Sequence, residues 1–138
     1  MTDASNDLIQ LSAEECRRLL ASHRPRLGRI AFVDGGWPMV FPMNFVADRN
    51  LIYFKTASGS KLFAAVQVQQ VSFEVDHIDA RWQEGWSVLA LGRLRVVTDP
   101  EEVAVVQRMP LEPWARGDRP HYLRLDVSSL SGRRIINP

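Results

Sequence analysis

"GRIAFVDGGWPMVFPMNF", residues 28–45, decides how this chain folds. Two apolar stretches stand on either side of Asp34-Gly35-Gly36. Glycine reaches the positive φ that a tight turn demands, so this spacing predicts an antiparallel hairpin. Working forward, "ADRN" (47–50) is a second turn that leads into the strand "LIYFKT" (51–56). "KLFAAVQVQ" (61–69) reads as a short helix, "QVSFEVDHID" (70–79) as a strand, and "GWSVLALGRLRVV" (85–97) as a long strand. The last is apolar on both faces at its start and basic on one face later. Two-sided apolarity means that both faces are covered by something.

Working backward, "LSAEECRRLLASH" (11–23) is a helix whose Ser12 and Glu15 have the capping-box spacing. Leu11, Cys16, Leu19 and Leu20 share one of its faces, and Pro25 ends it. Residues 1–10 read as a loose leader, and 11–138 as a single domain. Downstream, "DPEEVAVVQRM" (99–109) is a helix with Asp99 as N-cap and Pro100 in its first position. "PLEPWARGDRP" (110–120) is a loop, and "HYLRLDVSSLSGRRI" (121–135) closes the chain as one or two strands. The sum is six or seven strands with two or three inserted helices. Consecutive antiparallel strands of this length close into a barrel, which removes exposed edges.

Composition narrows the function. A chain of 138 residues with a formal net charge of +1 gives no electrostatic case for nucleic acid or an anionic membrane. Its one cysteine, Cys16, excludes an intramolecular disulfide and suits a reducing cytoplasm. No signal-peptide pattern and no apolar run of membrane-spanning length is seen. The three histidines, His23, His77 and His121, lie in different elements without ligand spacing, so no metal site is expected. Cys16, on the apolar side of its helix, reads as a quiet thiol. No nucleophile–base pair stands out.

The most informative polar stretch is "FKTASGSKLFAAVQ" (54–67). It runs from a strand through small residues into a helix. A helix starting near Gly59 to Lys61 presents free amides and the positive end of its dipole. Ser58 and Ser60 add hydroxyl donors, and Gly59 permits close backbone approach. Lys61 opposes the dipole unless an anion such as phosphate sits there. Taken by itself, the stretch favours a capped helix start with a solvated lysine slightly over an anion site, because it lacks the full P-loop pattern.

The order of pieces adds to this. The strand "VFPMNF", the junction "TASGSKL", then "FEVD" and "GWSV" together resemble the FMN-binding split-barrel family related to pyridoxamine 5′-phosphate oxidase, over residues 11–135. The likeness is greatest to its small flavin-binding branch, which includes nitroimidazole-resistance proteins. It implies a mainly β split barrel with inserted helices, and an FMN-dependent oxidoreductase. It assigns the cofactor phosphate to Thr56, Ser58, Ser60 and Lys61. It sets Val40, Pro42, Met43 and Asn44 along the isoalloxazine ring, with Asn44 toward the polar pyrimidine edge and nearby amides stabilising the reduced, anionic ring. Phe41, Met43 and Phe45 also fit plain barrel core. A homodimer with the flavin at its interface is implied, with Trp86 and Ser87 near the cofactor and Trp114 reaching the flavin of the other subunit. Core filling for Trp86 and loop anchoring for Trp114 are equal alternatives.

Arg93 and Arg95, and likewise Arg133 and Arg134, read first as solvated surface. The extra basic residues of true pyridoxamine phosphate oxidases are not found, so that activity is not expected. Two alternatives stand beside FMN chemistry. One is a deazaflavin-dependent reductase; the other is a non-catalytic flavin- or haem-binding protein, with His77 as the candidate haem ligand. Replacing Lys61 tests the anion reading. Lys61→Ala is expected to weaken flavin binding by roughly 1–3 kcal/mol, the range of a charge-assisted hydrogen bond. An unchanged dissociation constant in a fluorescence titration would return Lys61 to the solvated surface.

Overall fold

The computed structural model describes residues 7–57, 62–111 and 120–137. In it the hairpin is β2 (Leu27–Asp34) and β3 (Trp37–Asn44), joined by Gly35 and Gly36 at φ of 57° and 81°. Two consecutive positive φ values match the right-handed twist of the flanking strands. The remaining strands are β1 (Asp7–Leu11), β4 (Val46–Asp48), β5 (Leu51–Ala57), β6 (Gln70–Asp79), β7 (Glu84–Val96) and β8 (Pro120–Ile136). All pairings are antiparallel, in the order β3-β2-β6-β7-β8-β5-β4, with β1 added to β8.

β3 and β4 lie at opposite ends of this order, yet Phe45 alone separates them in the chain. The sheet therefore has to curl until its ends come together at that join, with the outer edge of β3 left unpaired, which makes a split barrel. Phe45 is fully buried at the join, and its N–H donates to the Arg26 carbonyl at 3.1 Å. Phe73 meets the rings of Phe45 and Phe54 edge-on, at centroid distances of 5.1 and 5.0 Å. Gly28 makes room for that stack, since a Cβ there would lie 2.5 Å from Phe73 Cζ.

Helices complete the core. α1 (Ala13–Ser22) starts where Ser12 Oγ accepts the Glu15 N–H at 3.2 Å, and it buries Cys16 and Leu20. α2 (Leu62–Val68) buries Leu62 and Ala65 against β2, β6 and β7. α3 (Pro100–Gln107) begins at the expected Asp99 cap and buries its own Val106 against Tyr53 and Val97.

Three expectations change. Residues 7–10 of the supposed leader are paired strand, because Leu8 and Ile9 find partners in Ile135 and Arg134. Leu11 belongs to β1 rather than to the helix face. The closing segment is one 17-residue strand, which brings the described strands to eight. A difference in β7 bears on function. Val88, Ala90 and Leu94 are buried inside the barrel, whereas Leu89 and Leu91 on the outer face are each 39% exposed. The chain covers one of the two apolar faces that the sequence predicts to be covered.

A polar clamp fixes α3 to the sheet. Tyr53 Oη donates to Glu102 Oε2 at 2.8 Å, and Arg124 Nη1 donates to both Glu102 oxygens at 2.6 and 2.9 Å. Arg124 Nε reaches Asp126 at 2.7 Å, and Arg95 Nε reaches the same carboxylate at 3.0 Å. Burial first, then the bond to Glu102, pushes the Tyr53 hydroxyl up to about 12, so it remains a donor. Arg124→Ala would strand Glu102 half-buried and is expected to cost about 2 kcal/mol; Tyr53→Phe should cost about 1 kcal/mol. Urea unfolding measures both, and unchanged midpoints would contradict the clamp.

Candidate flavin site and outer sheet face

Strand alternation sorts the candidate residues onto two faces. Arg29, Ala31 and Val33 of β2 pair with Pro42, Val40 and Pro38 of β3 on the outer face. Val40 is 59% exposed there, and Pro42 is exposed. Proline has no N–H for the ladder, so positions of this parity, Val40 among them, direct their N–H groups to the open edge of β3. Ser87 lies on the same outer face, opposite Asp76.

Met43 points the other way and packs against the core, as does Phe41, which stacks on Phe32 at 5.9 Å. Asn44 Nδ2 donates to the Arg26 carbonyl at 3.1 Å. One donor of the amide is thus satisfied within the chain, which holds the side chain at the β3–β4 join. Trp86 is half-buried against the core, with its ring 5.1 Å from that of His23.

Thr56 is buried at the far end of β5, paired with His121. Ser58, Ser60, Lys61 and Trp114 fall outside the described residues. Their anchoring points are informative all the same. Ala57, where the first segment leaves β5, pairs with Pro120, where the second enters β8. Thr56 and Ser87 do not come together within one chain. The β7 register places Thr56 beyond Val96, and Ser87 to Val96 spans roughly 30 Å of strand.

Residues that sequence reasoning missed sit between them on the outer face. Arg29 Nη1 is 3.8 Å from both Glu74 Oε1 and Asp76 Oδ2. Glu74 Oε1 is buried and has no hydrogen-bond partner. That burial, followed by the adjacent Asp76 carboxylate, pushes Glu74 up to about 7, and Arg29 only partly offsets them. The signal was present in "VSFEVD", where Ser72, Glu74 and Asp76 alternate with buried Val71, Phe73 and Val75. Beside the cluster, a cleft of about 750 Å³ is lined by Asp76, Ile78, Glu84, Ser87, Arg133 and Ile135, among others. Val40, Ile78, Leu89 and Leu91 make this face partly apolar.

The other candidates are quiet. Cys16 is fully buried, and burial pushes its thiol up. His77 is exposed, with its ring 5.9 Å from that of His23. Burial, then the His77 charge, pulls His23 down. Arg95 is engaged by Asp126, whereas Arg93, Arg133 and Arg134 are exposed. Among the described residues no group of three side chains could hold a metal, and no helix is long and apolar enough to cross a membrane.

An antiparallel split barrel with these strand faces defines a class, and comparison with known proteins gives the family. The family model described as pyridoxamine 5′-phosphate oxidase matches residues 12–134. The chain belongs to that family. It is 30% identical to the uncharacterized protein Rv0080 of Mycobacterium tuberculosis, over 96% of this chain and 89% of that one. Among solved structures it is similar to an FAD-binding protein from Mycobacterium smegmatis, with a TM-score of 0.78 and 37% identity, covering 92% of this chain and 97% of that one. An FAD-binding protein from Mesorhizobium loti gives a TM-score of 0.72 and 25% identity over 92% and 97% of the two chains. A structure from Bacteroides thetaiotaomicron, named as that of a putative 5-nitroimidazole antibiotic resistance protein, shares the fold, with a TM-score of 0.74 at 15% identity over 94% and 89% of the two chains.

Proposed function

We propose that the chain is a flavin-binding oxidoreductase that works as a homodimer on a small-molecule substrate. The observation that carries this is the family match across nearly the whole chain, together with end-to-end likeness to proteins named for binding FAD. Those names widen the expectation from FMN to flavins in general. A bound flavin supplies hydride and electron transfer, and the protein supplies binding, orientation and electrostatics.

The residues present fit such a group. Val40 and Pro42 offer an uncovered apolar strand face, and the open edge of β3 offers N–H donors of the kind that stabilise a reduced, anionic ring. Thr56 and the Ser58, Ser60 and Lys61 segment would hold phosphate at the end of β5. Trp86 and Ser87 lie too far along β7 to join them in the same chain. A second copy related by a two-fold axis would bring its own Trp86, Ser87 and Trp114 to the first copy's strand, which is what the dimer reading requires. Asn44, already anchored to Arg26, would keep its amide oxygen for the polar edge of the ring.

Parallel titrations with FMN, FAD and a deazaflavin test this reading. We expect at least one of the two flavins to bind with micromolar or tighter affinity and the deazaflavin to bind more weakly. The flavin-loaded protein should then oxidise a reduced nicotinamide donor. Binding without turnover would leave a flavin carrier, and absence of flavin binding would refute the proposal.

A further inference from the structure

The outer face of β2, β6 and β7 carries more than a docking patch, because it holds one cation against two carboxylates. Arg29 stands 3.8 Å from both Glu74 and Asp76, and it can neutralise one of them. Glu74 is the worse placed of the two. Its Oε1 is already buried without a hydrogen bond, and Leu89 stands directly opposite on β7. Val40 and Ile78 flank the same shallow hollow. The other charged groups around it are Arg133 of β8 and Glu84 of β7, both lining the neighbouring cleft.

Several features call for a cover on this face. The apolar alternation of β7 requires a cover on both sides, and the chain provides one. Exposed Val40, Ile78, Leu89 and Leu91 among polar residues form the kind of patch that marks an interaction site. The residues assigned to one cofactor are also split along β7, Ser87 toward one end and Thr56 beyond the other, and a two-fold-related copy brings the two ends together.

We propose that two copies pair through this outer face and that pairing takes up one solvent proton at the Glu74 carboxylate of each chain. The inference rests on the dimer reading above and adds its chemistry. An ionised Glu74 cannot be closed into an apolar contact while Arg29 is shared with Asp76; a protonated one can. Burial and the Asp76 charge already raise Glu74 to about 7 in the single chain, and closing the face raises it further. The sign follows. Below that pH the proton is present before association, so affinity is flat. Above it association must bind protons, and the dimer weakens as pH rises, by up to about a hundredfold per pH unit for two protons.

Sedimentation equilibrium of the full chain between about pH 6 and pH 9 tests this, with Glu74→Gln as the permanently neutral mimic. We expect the wild-type dimer constant to be flat in acid and to weaken above neutrality. The Glu74→Gln dimer should stay tight and flat throughout. A wild-type constant that is flat, or that tightens with pH, overturns proton uptake while leaving the dimer intact. Equal slopes in wild type and variant move the titration to another group and overturn it too. A monomer at every pH refutes the dimer reading and this inference together. The wild-type profile decides the matter alone if the variant fails to fold, which circular dichroism reports.

Discussion

Phe45 is the only residue between the last strand at one end of the sheet and the short strand at the other. A link that short forces the sheet to curl, and its ring, buried against Phe73, is part of the core that the curl creates. Once the barrel closes, each strand has an inside and an outside, and period-two alternation decides which residues go where. The inside takes Ile30, Phe54, Phe73, Val88 and Leu125. α1 packs against β4, β7 and β8 and α2 against β2, β6 and β7, burying Cys16, Leu20, Leu62 and Ala65.

The outside carries the proposed site. It holds Val40 and Pro42 beside an open strand edge, Ser87 at a cleft, and a charge cluster in which two acids share Arg29. A single chain leaves this face incomplete in two senses. Its leucines lack cover, and the residues assigned to one cofactor lie far apart along β7. The proposed two-fold partner would resolve both and would make assembly and cofactor binding parts of one problem.

Much of this was legible in the residues. Asp34-Gly35-Gly36 fixed the hairpin because only that chemistry suits two successive positive φ values. Ser12 and Asp99 marked two helix starts because their side chains satisfy the first free amides. β1 was hidden because "DLIQL" is short and mixed, and only its pairing with the long β8 makes it a strand. The Glu74 cluster was hidden for a similar reason. Its partner Arg29 is distant in sequence, and register, which no local pattern reveals, brings them together. The Tyr53–Glu102–Arg124 clamp joins three elements and carries no local signature either.

The central claim is that a flavin is held between two copies of this family member. Sedimentation velocity of the flavin-loaded protein, followed both in the visible flavin band and in the ultraviolet, tests it most directly. The account predicts one boundary, with the mass of a dimer and one flavin per chain in both signals. Flavin travelling with a monomer, or left behind by the protein, would contradict it.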